Sequence, residues 1–256
     1  MVFRNQFLWH NFIFINMKVL TIIQARMSSE RLPGKVLMNL ENKPILQHIV
    51  EFLKHSQFSD EIIIATSKEK EDDEIANLAK KINVKCFRGE LDDVLKRYFD
   101  CAKFYSGDLI VRITADNPLI DPLIVDKIIK ICKKTKCEFA STMIHETFPH
   151  GYLVEAMTFS LLEKIHHTQK DKLNREHVTP YLRKNYKSFN FSEVCAPKHY
   201  ERPNWRLTLD HLEDYELLSK IFSELYVPNN FIPYLKVVNY LDVHSELIKL
   251  NQKYNH

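Results

Sequence analysis

Val19-Leu-Thr-Ile-Ile-Gln-Ala-Arg-Met-Ser-Ser-Glu-Arg-Leu-Pro-Gly-Lys35 is the stretch on which the reading of this chain turns. Val19 to Ile23 are all apolar or β-favouring, the pattern of a strand buried on both faces near the middle of a sheet. The chain then becomes polar, with cations at Arg26, Arg31 and Lys35 and hydroxyls at Ser28 and Ser29. A helix is expected to begin at Asn42-Lys43-Pro44, where proline suits the first helical position. A cation-rich loop leaving the carboxyl end of a buried strand lies where open α/β sheets bind ligands. Its guanidinium and ammonium groups suit a polyanion such as a nucleoside triphosphate.

Outward from this loop, helical and strand patterns alternate. Ile45, Leu46, Ile49, Val50 and Leu53 repeat at helical spacing, and Glu61 to Thr66 reads as a second buried strand. The charged run Lys68 to Glu74 opens a helix whose inward residues are Ile75, Leu78, Ala79 and Ile82. Its acids read as a solvated helix end favoured by the dipole, not as a metal cluster. Val84 to Phe87 is a third strand. Asp92 or Asp93 caps a helix carrying Val94, Leu95, Tyr98, Phe99 and Ala102 inward. Leu109 to Ile113 is a fourth strand, followed by Thr114-Ala115-Asp116-Asn117-Pro118, and Asp121-Pro122 starts another helix. This order predicts an α/β, Rossmann-like, mostly parallel sheet sandwiched by helices.

Beyond Phe139 the pattern becomes richer in short β-like pieces, at 139–142, 152–156, near Phe189 and at Trp205 to Leu209. Helices are expected around Leu161 to Ile165, from Glu213 to Leu225 and in the tail, whose start Pro228 and Pro233 break. The expectation is one domain over residues 17–256 with a β-rich excursion in its second half. Residues 1–16 are set apart as an extension of doubtful role, because Met17 immediately precedes the first strand.

Composition narrows the function. A chain of 256 residues can bury one sizeable core, and its net charge of +3 is spread too evenly to suggest nucleic acid as a partner. No apolar run approaches the roughly 20 residues needed to cross a bilayer. Cys86, Cys101, Cys132, Cys137 and Cys195 include no Cys-x-x-Cys pair, so reduced thiols in a cytoplasmic protein are expected. The four glycines, Gly34, Gly89, Gly107 and Gly151, cannot build a dinucleotide fingerprint. Gly34-Lys35 is followed by Val36 and lacks the upstream glycine of a P-loop. The twelve histidines show no zinc spacing, and no Gly-x-Ser-x-Gly elbow suggests a serine hydrolase.

Asp116 and Asp210 each follow a predicted strand, where a carboxylate could hold Mg2+ against phosphate oxygens. For Asp116 the bland reading is a turn-forming residue before Asn-Pro. For Asp210 it is an acidic helix N-terminus, which Glu213 and Asp214 already satisfy, leaving Asp210 available.

Gln24-Ala-Arg-x-x-Ser-x-Arg-Leu-Pro-Gly-Lys35 closely resembles the opening signature of cytidylyltransferases that make CMP-activated sugars. The spore-coat polysaccharide biosynthesis protein F family looks nearest. CMP-KDO synthetases and acylneuraminate cytidylyltransferases look like more distant kin. Residues 112–121, 205–210 and 87–97 resemble three further family segments, so the resemblance runs from about Met17 to Leu225. Departures are Ser28 and Ala115 where relatives often carry glycine, Asn117 for cysteine, His211-Leu212 for Thr-Pro, and Leu153 for an acidic residue.

The resemblance implies a fold like that of nucleotide-diphospho-sugar transferases (GT-A-like) and a defined site. Gln24, Ala25, Arg26, Ser28, Ser29, Arg31, Lys35, Arg88 and Asp116 would bind nucleotide, with Arg26, Lys35 and Asp116 catalytic. Asp116 and Asp210 would hold Mg2+ or Mn2+, and Glu155, Arg175 and His177 would face the acceptor. The implied reaction transfers CMP from CTP to an acidic sugar and releases pyrophosphate, in the synthesis of surface-polysaccharide or glycan precursors. The implied enzyme is a cytoplasmic homodimer with neither nucleic-acid nor membrane partners. Two rival readings are a nucleotide-sugar glycosyltransferase and a non-catalytic nucleotide-binding protein. The first usually carries Asp-x-Asp, which Asp116-Asn-Pro is not.

Overall fold

The computed structural model describes residues 17–254, so the expectation for residues 1–16 lies outside the described residues. The chain begins with β1 (Val19–Gln24), whose side chains divide between two cores. Val19 and Ile23 pack on one face of the sheet, while Leu20 and Ile22 pack on the other, as the two-residue period of a strand requires. After the basic loop come a short ribbon, β2 (Asn39–Leu40) and β3 (Lys43–Pro44), and helix α1 (Ile45–Leu53). Pro44 occupies the cap position of α1 and not the first helical position, because it still belongs to the ribbon, so the helix starts one residue later than expected.

The alternation then runs through β4 (Glu61–Ser67), α2 (Asp73–Lys81), β5 (Lys85–Gly89), α3 (Val94–Phe104), β6 (Leu109–Thr114) and α4 (Pro122–Thr135). Asp93 caps α3 by accepting from the Lys96 N–H, and Asp121 caps α4 with Pro122 behind it. The second half contributes β7 (Phe139–Ser141), β8 (Glu155–Thr158), α5 (Phe159–Thr168), α6 (Lys172–His177), α7 (Pro180–Lys184) and β9 (Phe191–Glu193). Two helices, α8 (Leu212–Leu225) and α9 (Tyr234–Val243), follow.

These strands form one seven-stranded sheet in the order β5-β4-β1-β6-β8-β7-β9, in which β8 alone runs against the others. The β-rich second half is therefore an extension of the main sheet: β8 pairs directly with β6. One expected strand is absent. Trp205 to Leu209 makes only an isolated bridge, from Arg206 to His150. Its buried Leu207 and Leu209 belong to a loop packed behind the site. Gly151, at φ +123°, lets this packing happen, since a Cβ there would lie 2.5 Å from the Leu207 backbone.

Helices α1, α2, α4, α8 and α9 cover one face of the sheet, and α3, α5 and α7 the other. Strand order reverses between β1 and β6, because the chain builds outward from β1 to β5 and then crosses to β6 on the opposite side. The carboxyl ends of β1 and β6 thus flank the crevice where this topology takes ligands.

Two expectations are corrected here. Cys132 and Cys137 are joined in a disulfide, although reduced thiols were expected throughout. The left-handed Lys136 turns the chain back under the last turn of α4 and brings the two cysteines together. Among the acids of 68–74, Asp72 is not solvated. It is 2% exposed, and its carboxylate accepts from the N–H groups of Met27 and Ser67.

Candidate active site

The basic loop closes on itself at the carboxyl end of β1. Met27 O accepts from both Ser29 N–H and Gly34 N–H at 2.9 Å, and Gly34 sits at φ +72°, a conformation open to glycine at little cost. The turn delivers Lys35 into a short 3-10 helix and buries it to 8% exposure. Ala25 N–H bonds Ala65 O at the end of β4, and Asp72 takes Met27 N–H at 2.7 Å. Burial opposes the charge on Asp72, but donors from Ser67, Met27 and Thr66 prevail and hold its carboxyl below the usual range. The loop is anchored by an ionised carboxylate beneath it.

Lys35 is where the distant segments meet. Its ammonium donates to Asp210 Oδ1 at 2.8 Å, Asp116 Oδ2 at 3.2 Å and the Leu209 carbonyl at 2.7 Å. The turn after β6 supplies Asp116. Backbone bonding of Leu209 N–H to Asp116 O, at 2.8 Å, locks the 205–210 loop against that turn. Arg31 reaches Asp210 Oδ1 at 2.9 Å, and Arg206 reaches Oδ2 at 2.6 Å. Burial disfavours the Asp210 charge, yet Lys35, Arg206 and Arg31 outweigh it and keep the carboxyl far below its ordinary range. Asp210 is therefore not the free carboxylate expected from Glu213 and Asp214. Asp214, fully buried, instead holds Arg206 at 3.0 Å and accepts from the N–H groups of Asp210 and His211.

A cavity of about 500 Å³ opens above this cluster, enough for a nucleotide-sized ligand. Gln24, Ala25, Arg26, Ser29, Arg31, Lys35, Asp116, His177 and Asp210 line it, as do Glu30, Val36, Val94, Arg97, Thr114, Ala115 and Glu176. Arg26 spans the opening to Glu176 at 3.3 Å, which tethers α6 to the basic loop.

Four other expected site residues do not line the cavity. Ser28 is exposed and does not border the cavity. Arg88 is engaged by Ser67 O, Glu69 O and the Asp73 carboxylate, so it braces the turn between β4 and α2. Arg175 pairs with Asp93 and donates to His166 O at 2.7 Å, holding α6 against α3 and α5. Glu155 is fully buried, with Arg112 at 3.0 Å, Thr179 Oγ1 at 2.8 Å and Arg183 at 3.2 Å. No substrate can reach it. It fixes the α6–α7 connection that follows Glu176 and His177.

Sequence reasoning passed over Arg97, Glu176, Asp72 and Arg206. Arg97 and Arg206 stood inside the 87–97 and 205–210 segments, whereas Glu176 and Asp72 gain their roles through contacts distant in sequence, with Arg26 and Met27.

The residues fit a hard divalent cation. Mg2+ is held by one or two carboxylates together with phosphate oxygens and water. Asp116 offers that kind of ligand: its side chain is 31% exposed to the cavity, and only Oδ2 is engaged, by Lys35. Asp210 has both oxygens taken by cations. No cluster of three or more His, Cys, Asp or Glu suited to a metal exists among the described residues, so a cation here would rely on phosphate oxygens and water besides Asp116.

The sequence-family model described as Cytidylyltransferase matches residues 20–239. An uncharacterized protein of Methanocaldococcus jannaschii is 37% identical over 235 residues, spanning 92% of this chain and 95% of its own. The spore coat polysaccharide biosynthesis protein SpsF of Bacillus subtilis is 32% identical, spanning 80% of this chain and 87% of its own. A cytidylyltransferase structure from Leptospira borgpetersenii superposes with a TM-score of 0.87 at 36% identity, covering 94% of this chain and all of that one.

Proposed function

The chain belongs to the cytidylyltransferase family and is a CTP-dependent nucleotidyltransferase, and from that premise we propose that it transfers CMP to an acidic sugar. In this reaction a sugar hydroxyl attacks the α-phosphorus of CTP. The bond from that phosphorus to the bridging oxygen of the β-phosphate breaks, pyrophosphate leaves, and the hydroxyl proton is lost. Such displacement needs alignment and neutralisation of charge, not a covalent nucleophile. The observation that carries the reading is Lys35, held at 2.8 Å from Asp210 and 3.2 Å from Asp116 on the floor of a cavity ringed by Arg26 and Arg31.

Lys35 would stabilise the charge that builds on the phosphate oxygens, since its ammonium is already fixed and dehydrated. Arg26 and Arg31, both more exposed, would reach the outer phosphates. Asp116, with Asp210 beside it, would hold Mg2+, which supplies Lewis-acid neutralisation of phosphate oxygens when bound. Thr114 and His177 border the same cavity on the β6 and α6 side and would face the acceptor. An acidic acceptor suits a cavity with Arg26, Arg31 and Lys35 in its wall. SpsF of B. subtilis, a relative named for spore-coat polysaccharide synthesis, supports a role in surface-glycan precursor supply.

The test is pyrophosphate release with CTP against panels of acidic and neutral sugars. Turnover restricted to acidic sugars is expected. Turnover with neutral sugars alone would discard the acidic acceptor while leaving the transferase in place. Asp116→Asn should remove most CTP-dependent turnover while circular dichroism stays native. Full activity in that variant would reject the assignment of the metal to Asp116.

A further inference from the structure

The carboxyl-terminal segment reaches the active site from behind. Past α9 the chain makes two short 3-10 turns, Leu247–Leu250 and Gln252–Tyr254, and Asn251 stands between them. This segment lies beyond residues 20–239, the span of the family match. Leu247, Ile248 and Leu250 pack against the core, and the Tyr254 ring stacks on His211 with centroids 3.7 Å apart. Lys253 and Tyr254 both bond the Glu213 carboxylate on α8. Asn251 itself is fully buried.

Its side chain is oriented by the acceptors it meets. The amide nitrogen donates to the Arg206 carbonyl at 2.9 Å and to Asp214 Oδ1 at 2.8 Å, while the amide oxygen has no partner. A carbonyl and a carboxylate can only accept, so the nitrogen must face them. The unpaired oxygen is a cost that an apolar residue of similar size would avoid.

Asp214 passes the contact on. Its oxygens hold Arg206 Nε at 3.0 Å and Nη2 at 3.2 Å, and they accept from the Asp210 and His211 N–H groups, each at 2.9 Å. The same Nη2 reaches Asp210 Oδ2 at 2.6 Å, and Asp210 Oδ1 takes Lys35 at 2.8 Å. Asn251, Asp214, Arg206 and Asp210 therefore run in series from the tail to the cavity floor. A planar guanidinium gripped at two nitrogens by Asp214 keeps one orientation, which sets where Asp210 stands.

Resting on CTP-dependent transfer and the role given above to Lys35, we propose that Asn251 is a positioning residue for the reaction: it fixes Asp214, which orients Arg206, which holds Asp210 in register with Lys35. Removing its amide leaves Asp214 Oδ1 one donor short and takes the Asn251 donor from the Arg206 carbonyl. Carboxylate and guanidinium then turn together, and Asp210 shifts against Lys35. A displacement of about 1 Å can cost about 10²-fold in rate.

Pyrophosphate release from CTP, with an acidic sugar that the panel shows to be turned over, tests this in Asn251→Ala, Asn251→Ser, Arg206→Lys and the double variant Asn251→Ala/Arg206→Lys. Asn251→Ala should lower kcat about 10- to 100-fold while KM for CTP changes less than about threefold, since the cavity wall is untouched. The milder Asn251→Ser, which can still donate, should fall between it and the wild type. In the Arg206→Lys background the further loss from Asn251→Ala should shrink to about twofold or less, because the fork it acts through is gone. Phe52→Leu, a core change outside the cavity, should lose stability in urea and keep its kcat. Unchanged kcat in Asn251→Ala, or losses that multiply in the double variant, would overturn the inference, and so would an equal fall in kcat for Phe52→Leu. Hydrogen exchange needs no turnover. In Asn251→Ala it should quicken at the Asp210 and His211 amides while the central amides of β1 stay protected, and unchanged exchange at 210 and 211 would sink the proposal. A wild type that releases no pyrophosphate with any sugar would instead discard the transfer reading, and exchange would still decide whether Asn251 governs Asp210.

Discussion

Lys35 joins two carboxylates that come from positions 81 and 175 residues away in sequence. Without its ammonium, Asp116 would lose the only side-chain cation within 4 Å among the described residues, whereas Asp210 would keep Arg31 and Arg206. The fold loss is therefore modest, roughly 1–3 kcal/mol for a broken charged hydrogen bond. The catalytic loss is larger, because a preorganised cation aimed at developing charge is worth about 10²–10³ in rate. Lys35→Met should lower kcat/KM for CTP by about that factor while urea unfolding shifts little. Kinetics unchanged from wild type would take Lys35 out of the reaction. This residue was legible in sequence because Gly34-Lys35 closes a long ordered motif. Arg88 does not line the cavity, because two neighbouring carbonyls and a carboxylate, invisible in the motif, already occupy its donors.

The basic loop is held at the scale of elements. Its backbone reaches the rest of the molecule through Ala25 N–H on β4 and Met27 N–H on Asp72, just before α2. Asp72 also takes Ser67 N–H at 2.9 Å, so one carboxylate ties the end of β4 to the turn that carries Lys35. In Asp72→Asn the amide nitrogen must face one of these two donors, leaving a buried N–H unsatisfied at a cost of about 1–3 kcal/mol. Hydrogen exchange should then quicken at Met27 and Ser67 while the central amides of β1 and β6 stay protected. Uniform protection across the loop would show that its own Met27–Gly34 closure suffices. Elements with local signatures were readable in advance: β1, β4 and β6 are mostly apolar and β-branched, and Asp121-Pro122 announces α4. Trp205 to Leu209 misled because alternating Leu207 and Leu209 mimic a strand, although their burial comes from packing behind Asp116. The joining of β8 to β6 was equally hidden, since pairing is decided by partners more than forty residues apart.

Across the whole molecule, one enclosed imidazole, that of His48, dominates the link between stability and pH. His48 lies among Phe52, Phe222 and Tyr226, and its Nε2 is 2.7 Å from the Leu40 carbonyl. His150 sits beside Arg206, with its Nδ1 3.2 Å from the guanidinium. Burial is the main reason that both rings have lowered pKa values, and Arg206 adds repulsion at His150. Each ring is neutral in the folded protein at pH values where the unfolded chain already binds a proton. Stability is therefore fullest above the unfolded value near 6.5 and declines as pH falls below it, until the folded pKa is reached. His150, whose side chain is exposed, and the half-buried His166 add less to this trend than His48. At most, the buried ring of His48 contributes about 1.4 kcal/mol per pH unit within that window. Urea unfolding at pH 7.5, 6.5 and 5.5 should show the steepest loss over the last step, with a shallower slope in His48→Gln despite its lower overall stability. Equal slopes in the variant and wild type would mean that His48 gains its proton as readily inside the fold as outside it.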